Sequence, residues 1–282
     1  VDDQAETPDA LLARIEGASQ RLETPCGEGR MVWRIWGAGA RPPLVLLHGG
    51  YGSWRHWIHT IPAFATERRV IAPDLPGLGE SSDPGTDASP EAIAVIVRAG
   101  LDTVFPAGES YDIAGFSFGG MIAGNVAAID PHHARTLTVV GPGGLGGFPS
   151  GVQLERVITL SGAARREAHR VNLSRLMFAD ASRIDALALA IQEWNTRHGR
   201  TKSRPMSRTA SLQAALAKTQ MPLNAIYGEF DAPAYPHLSE REERIRAVRP
   251  DVDFRVIKGA GHWVAYEAAE EFNAMLHGML DR

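Results

Sequence analysis

The stretch Tyr111-Asp-Ile-Ala-Gly-Phe-Ser-Phe-Gly-Gly-Met-Ile-Ala-Gly-Asn125 decides how this chain is read. It opens with a short run, Tyr111 to Gly115, that suits a strand of a buried parallel sheet. It closes on small and apolar residues that suit a helix lying close to that sheet. Between the two stands G-x-S-x-G, as Gly115-Phe116-Ser117-Phe118-Gly119. A sharp strand-to-helix turn at this point forces Ser117 into a strained backbone conformation and lifts its Oγ to the top of the sheet. The flanking glycines let neighbouring backbone pass without a Cβ clash. The N–H of Phe118, at the helix N-terminus, is placed to bind a developing oxyanion. Phe116 and Phe118 either exclude water from the serine or belong to the core.

Outward from this stretch the same rhythm recurs. Strands are expected at Met31 to Trp36, Pro43 to His48, Arg69 to Asp74, Thr136 to Val140, Pro222 to Tyr227 and Val252 to Ile257. Most of the intervals between them can form helices. Alternating strands and helices indicate an α/β fold with a mostly parallel sheet. Thr7-Pro8-Asp9 has the composition of a helix start, followed by an apolar stripe at Leu11, Leu12 and Ile15 and a stop at Gly17. A last helix is expected from Glu267 to Leu280, with its stripe at Phe272, Leu276 and Met279.

One interval breaks the rhythm. Residues 148–220 contain no convincing strand, yet Ile184, Leu187, Ile191 and Trp194 share one helix face. Residues 148–220 are therefore expected to form a helical cap, or lid, on a core built from 1–147 and 221–282. An insertion at the C-terminal end of a strand lies where α/β folds bind ligands.

A serine hydroxyl is a weak nucleophile that needs a base, and the base needs an orienting acid. In the order serine, acid, histidine, the acid should follow a later strand and the histidine the last one. Asp231 in Gly228-Glu-Phe-Asp231 and His262 in Gly261-His262 occupy those places, with Glu229 as the reserve acid. Gly259 and Gly261 make a turn able to swing the imidazole inward. The turn His48-Gly-Gly-Tyr-Gly52 should supply the second oxyanion donor, Gly50 first and Tyr51 second, with His48 as a structural histidine fixing the loop. Tyr51, Phe116, Trp263 and Trp194 are the candidates for substrate contact.

Composition narrows the classes. The 282 residues carry 44% hydrophobic and 22% charged side chains, with a net charge of −4, an ordinary globular balance without the basic footprint of a nucleic-acid binder or a polybasic membrane patch. Arg165, Arg166 and Arg170 form the densest basic group and read as a solvated helix face. The single cysteine, Cys26, rules out an internal disulfide and favours a reducing compartment, so a cytoplasmic location is expected. No apolar run approaches a membrane span. The N-terminus is polar and acidic, unlike a signal peptide, and begins without Met. His56 and His59 are three apart, but no HExxH, third ligand or cysteine pair joins them, so no metal is expected. His132 and His133 read as surface. Gly141-Pro-Gly-Gly-Leu-Gly146 fits G-x-G-x-x-G, yet Pro142 interrupts the strand-to-helix passage of a dinucleotide site.

Leu44-Val-Leu-Leu-His-Gly-Gly50, Asp74-Leu-Pro-Gly-Leu-Gly-Glu-Ser81, Gly115-Phe-Ser-Phe-Gly-Gly120, Gly228-Glu-Phe-Asp231 and Gly261-His262 occur in that order. Together they resemble the α/β-hydrolase family across nearly the whole chain outside the insertion. The resemblance implies an eight-stranded, mostly parallel sheet with a cap between strands six and seven. It implies Ser117 as nucleophile, Asp231 as acid and His262 as base, and no metal or organic cofactor. A serine at the nucleophile position departs from haloalkane dehalogenases and epoxide hydrolases, which place an aspartate there. The run Gly261-His-Trp263, Tyr266-Glu267 and Phe272-Asn273 is similar to the meta-cleavage C–C hydrolases. Phe116 stands where those enzymes usually carry asparagine, and Ala265-Tyr266 where they commonly show Gln-Trp. The expected activity is thus cleavage of a carboxylic ester carrying an apolar group. C–C cleavage of dienoic ketoacids, ligand sensing without turnover and cofactor-free oxygen chemistry are the alternatives.

Overall fold

The computed structural model describes residues 6–105, 109–146 and 151–281. Its eight strands are β1 (Gln20–Cys26), β2 (Gly29–Trp36), β3 (Arg41–Leu47), β4 (Arg68–Pro73), β5 (Tyr111–Phe116), β6 (Ala134–Val140), β7 (Leu223–Gly228) and β8 (Asp253–Ile257). They form one sheet in the order β1-β2-β4-β3-β5-β6-β7-β8. The β1–β2 and β2–β4 pairs are antiparallel, and every other pair is parallel. The helices are α1 (Pro8–Gly17), α2 (Thr60–Ala65), α3 (Pro90–Val104), α4 (Phe118–Ile129), α5 (Gly162–Leu176), α6 (Ala186–Arg197), α7 (Ser203–Ser207), α8 (Ser211–Leu216), α9 (Leu238–Arg246), α10 (Val264–Glu267) and α11 (Ala269–Leu280).

The continuous apolar runs follow from burial on both faces. Along β3, Val45 and Leu47 join one core with Ile93 and Val97 of α3 and Met121 and Val126 of α4. Leu44 and Leu46 join the other, with Ile61 of α2 and Phe272 and Leu276 of α11. Successive side chains of a strand point to opposite faces, so both sets must be apolar. Strand β1 escaped the sequence reading because it is an edge strand. Its residues alternate in burial, and Pro25 is tolerated at an edge. The N-terminal helix starts as expected, with Thr7 Oγ1 accepting the Ala10 N–H at 3.3 Å.

Helices α5 to α8 all lie between β6 and β7. The expected cap boundary at 147/148 falls outside the described residues. The other boundary, at 220/221, falls in the connection between α8 and β7. Leu212 and Leu216 of α8 are buried in the same core as Met121 and Val126. The two helices approach so closely that a Cβ on Gly124 would lie 2.2 Å from Leu212 Cδ1. Helix α8 is therefore packed against α4 in the body of the fold. The aliphatic face of α6 is also spent on packing: Ile184, Leu187 and Ile191 are buried in the second core, with Trp57 and Phe116.

Leu212→Ala should lower unfolding free energy by about 2–5 kcal/mol, as for other large-to-small core changes. Urea denaturation measures it, and a loss well below 1 kcal/mol would place α8 outside the core.

Candidate active site

Strand β5 delivers Ser117 to the carboxyl edge of the sheet. Ser117 has φ 53° and ψ −113°, a conformation that L residues rarely adopt. The elbow closes because glycines surround it. A Cβ on Gly115 would sit 2.2 Å from the Gly119 carbonyl oxygen, and one on Gly119 would sit 2.3 Å from that of Leu47. The Ser117 N–H donates to Val140 O at 2.8 Å, and its carbonyl accepts the Gly120, Met121 and Gly143 N–H groups. The strained residue is thus held from several sides.

The turn after β7 brings Asp231, and the turn after β8 brings His262. His262 Nδ1 lies 2.8 Å from Asp231 Oδ2, and His262 Nε2 lies 3.0 Å from Ser117 Oγ. A carboxylate requires a donor, so the imidazole proton belongs on Nδ1 and the Nε2 lone pair faces the serine hydroxyl. Both Asp231 and His262 are buried. Gly141 passes directly behind them: a Cβ there would meet Asp231 Oδ2 at 2.5 Å and His262 Nδ1 at 3.0 Å, and its φ is +49°. Glu229, the reserve acid, is exposed and accepts the Gly259 N–H at 2.9 Å, which removes it from the site.

The turn after β3 forms the facing wall. Phe118 opens α4, so its N–H has no intrahelical acceptor. A Cβ on Gly50 would come within 3.6 Å of Phe118 Cβ, which makes the two backbones neighbours. His48 anchors the turn. Its Nε2 accepts the Leu75 N–H at 2.8 Å, which leaves Nδ1–H to donate to the Gly49 carbonyl at 2.8 Å. Burial pushes the His48 imidazole down to about 4, so it is neutral near pH 7. Tyr51 adopts φ 50° and packs its ring over Gly199 of the insertion.

Ser117, His262 and the Gly49–Gly50 turn open into a cleft of about 480 Å³. Tyr51 and Phe116, two of the four candidates for substrate contact, line it, and so does Phe118. Trp194 and Trp263 do not, and those two expectations are corrected. The Trp194 ring is stacked between the Arg55 guanidinium, 3.7 Å away, and His198, 4.0 Å away. Trp263 is buried beneath the site, with Nε1 donating to the His56 carbonyl at 2.9 Å.

Several residues of the site carry no motif and were missed. Ser203 of α7 is buried in the cleft wall against Gly50, where a Cβ would approach its Oγ to 2.2 Å. Tyr227 lines the cleft with a buried hydroxyl that has no hydrogen-bond partner among the described residues. Arg156, Arg204 and Arg208 also line it, and no carboxylate pairs with them among the described residues. Glu267 ties the His262 turn to the insertion: its carboxylate accepts the N–H groups of Ala179, Asp180 and Gly261. Only the doublet Tyr266-Glu267 in the sequence hinted at it.

The glycine loop Gly141–Gly146 does not cradle a phosphate. Its Gly141, Gly143, Gly144 and Gly146 N–H groups are taken by the carbonyls of Ile226, Ser117, Ser207 and Thr209. No group of three or more His, Cys, Asp or Glu side chains among the described residues could hold a metal ion. Among them, too, no helix is long and apolar enough to cross a membrane.

Comparison with known proteins agrees with this architecture. The profile of the Alpha/beta hydrolase family matches residues 44–275. The dihydrolipoyllysine-residue acetyltransferase component of an acetoin cleaving system from Pseudomonas putida is 30% identical, over 96% of this chain and 75% of its own. A 2-hydroxymuconate semialdehyde hydrolase from Pseudomonas sp. strain CF600 is 36% identical over a shorter region, 40% of each chain. Among solved structures, a carboxylesterase from Bacillus subtilis superposes with a TM-score of 0.74 at 21% identity, covering 97% of this chain and 95% of that one. With an eight-stranded sheet, a serine at the elbow after β5 and a profile match over most of its length, the chain belongs to the α/β hydrolase family.

Proposed function

We propose that this protein is a serine hydrolase that cleaves a carboxylic ester, or a related acyl bond, through an acyl-enzyme. The observation that carries the reading is the continuous run from Asp231 through His262 to Ser117, at 2.8 and 3.0 Å. His262 Nε2 takes the Ser117 proton as Oγ attacks the carbonyl carbon. Asp231 holds the tautomer and stabilises the imidazolium. The N–H groups of Phe118 and Gly50 receive the negative oxygen. Collapse breaks the ester C–O bond, and His262 returns the proton to the leaving alcohol. A water molecule deprotonated by His262 then attacks the acyl carbon, and Ser117 leaves with its proton restored. Residues of the insertion before α8 act as the cap that closes the cleft and sets substrate preference.

A second reading is favoured by one observation. Arg156, Arg204 and Arg208 line the cleft without carboxylate partners among the described residues, in a chain whose net charge is −4. An acidic substrate would satisfy them, as in C–C cleavage of a dienoic ketoacid. His262 would then also assist tautomerisation before attack.

Ser117→Ala and His262→Ala should each lower kcat on a hydrolysed ester by roughly four orders of magnitude or more. Near-native turnover by Ser117→Ala would overturn the assignment, and tight ligand binding without turnover in the unmodified protein would favour a sensor. Gly141→Ala should cost about a hundredfold in kcat, because its Cβ displaces the Asp231–His262 pair. Wild-type rates in that variant would mean the pair is free to shift. For two esters of equal length, one ending in a carboxylate, kcat/KM should favour the acidic member by about tenfold if the second reading holds. The preference should vanish in Arg204→Gln combined with Arg208→Gln, and equal rates on both esters in the unmodified protein would leave only the first reading.

A further inference from the structure

His56 is buried and has no role in the proton relay, yet it touches three of the loops that build the site. The Gly49 N–H donates to His56 Nδ1 at 3.2 Å, which leaves the ring proton on Nε2. The ring stands edge-on to Phe116 at 5.5 Å and to Trp263 at 5.0 Å. Those residues directly precede the nucleophile and follow the base. The turn is shaped around the ring: a Cβ on Gly52 would lie 2.5 Å from Nδ1. Burial, with the rings of His48 and His262 facing it, holds the His56 imidazole well below its usual range, so Nδ1 stays an acceptor near neutral pH.

The consequence follows from peptide geometry. Gly49 sits between two peptide planes. His48 Nδ1–H holds its carbonyl, and with it the plane that carries the Gly50 N–H. In a trans peptide that N–H points opposite to the carbonyl, away from His48. His56 holds the other plane through the Gly49 N–H. A glycine rotates freely about both dihedrals unless both planes are fixed. We propose that His56 is a positioning residue: by accepting the Gly49 N–H on Nδ1 it locks the second plane of this turn, so that the Gly50 N–H is preset for the oxyanion. This rests on the serine-hydrolase reading. A donor fixed in advance acts on the transition state, so its loss lowers kcat and leaves KM nearly unchanged.

The test compares His56→Phe, which keeps the ring and loses the acceptor, with His56→Asn, whose Oδ1 replaces Nδ1. Both are assayed on an ester that the unmodified protein hydrolyses, with Ser117→Ala as blank and thermal unfolding followed in parallel. The Phe variant should lose about tenfold or more in kcat with little change in KM, and the Asn variant should recover to within about fivefold of wild type. Wild-type kcat in the Phe variant overturns the proposal, as do equal losses in both variants that track their melting temperatures. If the Phe variant does not fold, the Asn variant decides: kcat within about fivefold of wild type supports the role, and a larger loss in a folded protein overturns it. Failure of the underlying reading is separate, since it appears as turnover by Ser117→Ala whatever His56 does.

Discussion

The backbone of Ser117 is the constraint on which the site depends. A serine at φ 53° costs of order 1–3 kcal/mol, and it persists only where the surroundings leave no alternative. Here the alternatives are closed by contact. Backbone passes so near Gly115 and Gly119 that neither could carry a side chain, and three N–H groups converge on the Ser117 carbonyl. The same closeness aims the hydroxyl outward and leaves the Phe118 N–H without an intrahelical partner. Strain, exposure and an available donor therefore share a single cause.

The strained serine is useful only if the other loops meet it in register, and they are tied together by buried polar contacts. Glu267 gathers N–H groups from Ala179, Asp180 and Gly261, so the turn that carries His262 and the residues just after α5 are fixed by one carboxylate. The Trp263 N–H donates to the Met177 carbonyl at 2.8 Å, a second tie between the same segments. Movement of this part of the insertion would be felt at the His262 imidazole. Helix α7 is different, because Ser203 leans on Gly50 across the cleft. The insertion thus has one region fastened to the His262 turn, one resting on the Gly50 turn, and one, α8, packed into the core.

Most of the fold was legible because two-sided burial demands unbroken apolar strands, and those stand out in β3, β5, β6 and β7. Edge strand β1 was not legible, since an exposed edge tolerates Pro25 and alternating polar residues. Ser117, Asp231 and His262 could be picked out because each lies just past a strand in glycine-marked turns, and the structure brings their side chains into a hydrogen-bonded run. Trp263 beside the His262 motif and Trp194 on a helix face of the insertion misled because neither position says which way the ring faces. Ser203, Tyr227 and the cleft arginines were invisible for the opposite reason: their meaning is their neighbours, and those neighbours are distant in sequence, while His56 stood out only through its spacing from His59. Helical spacing at Leu212 and Leu216 marked a helix but did not say which core they enter.

The central claim is that Ser117 Oγ, activated by His262, forms a covalent bond to an acyl or phosphonyl group. Intact-mass spectrometry after incubation with a fluorophosphonate, followed by peptide mapping, tests it most directly. The account predicts a single adduct on the peptide that contains Ser117, formed much more slowly in His262→Ala. An unmodified Ser117 peptide, or labelling that is indifferent to His262, would contradict it.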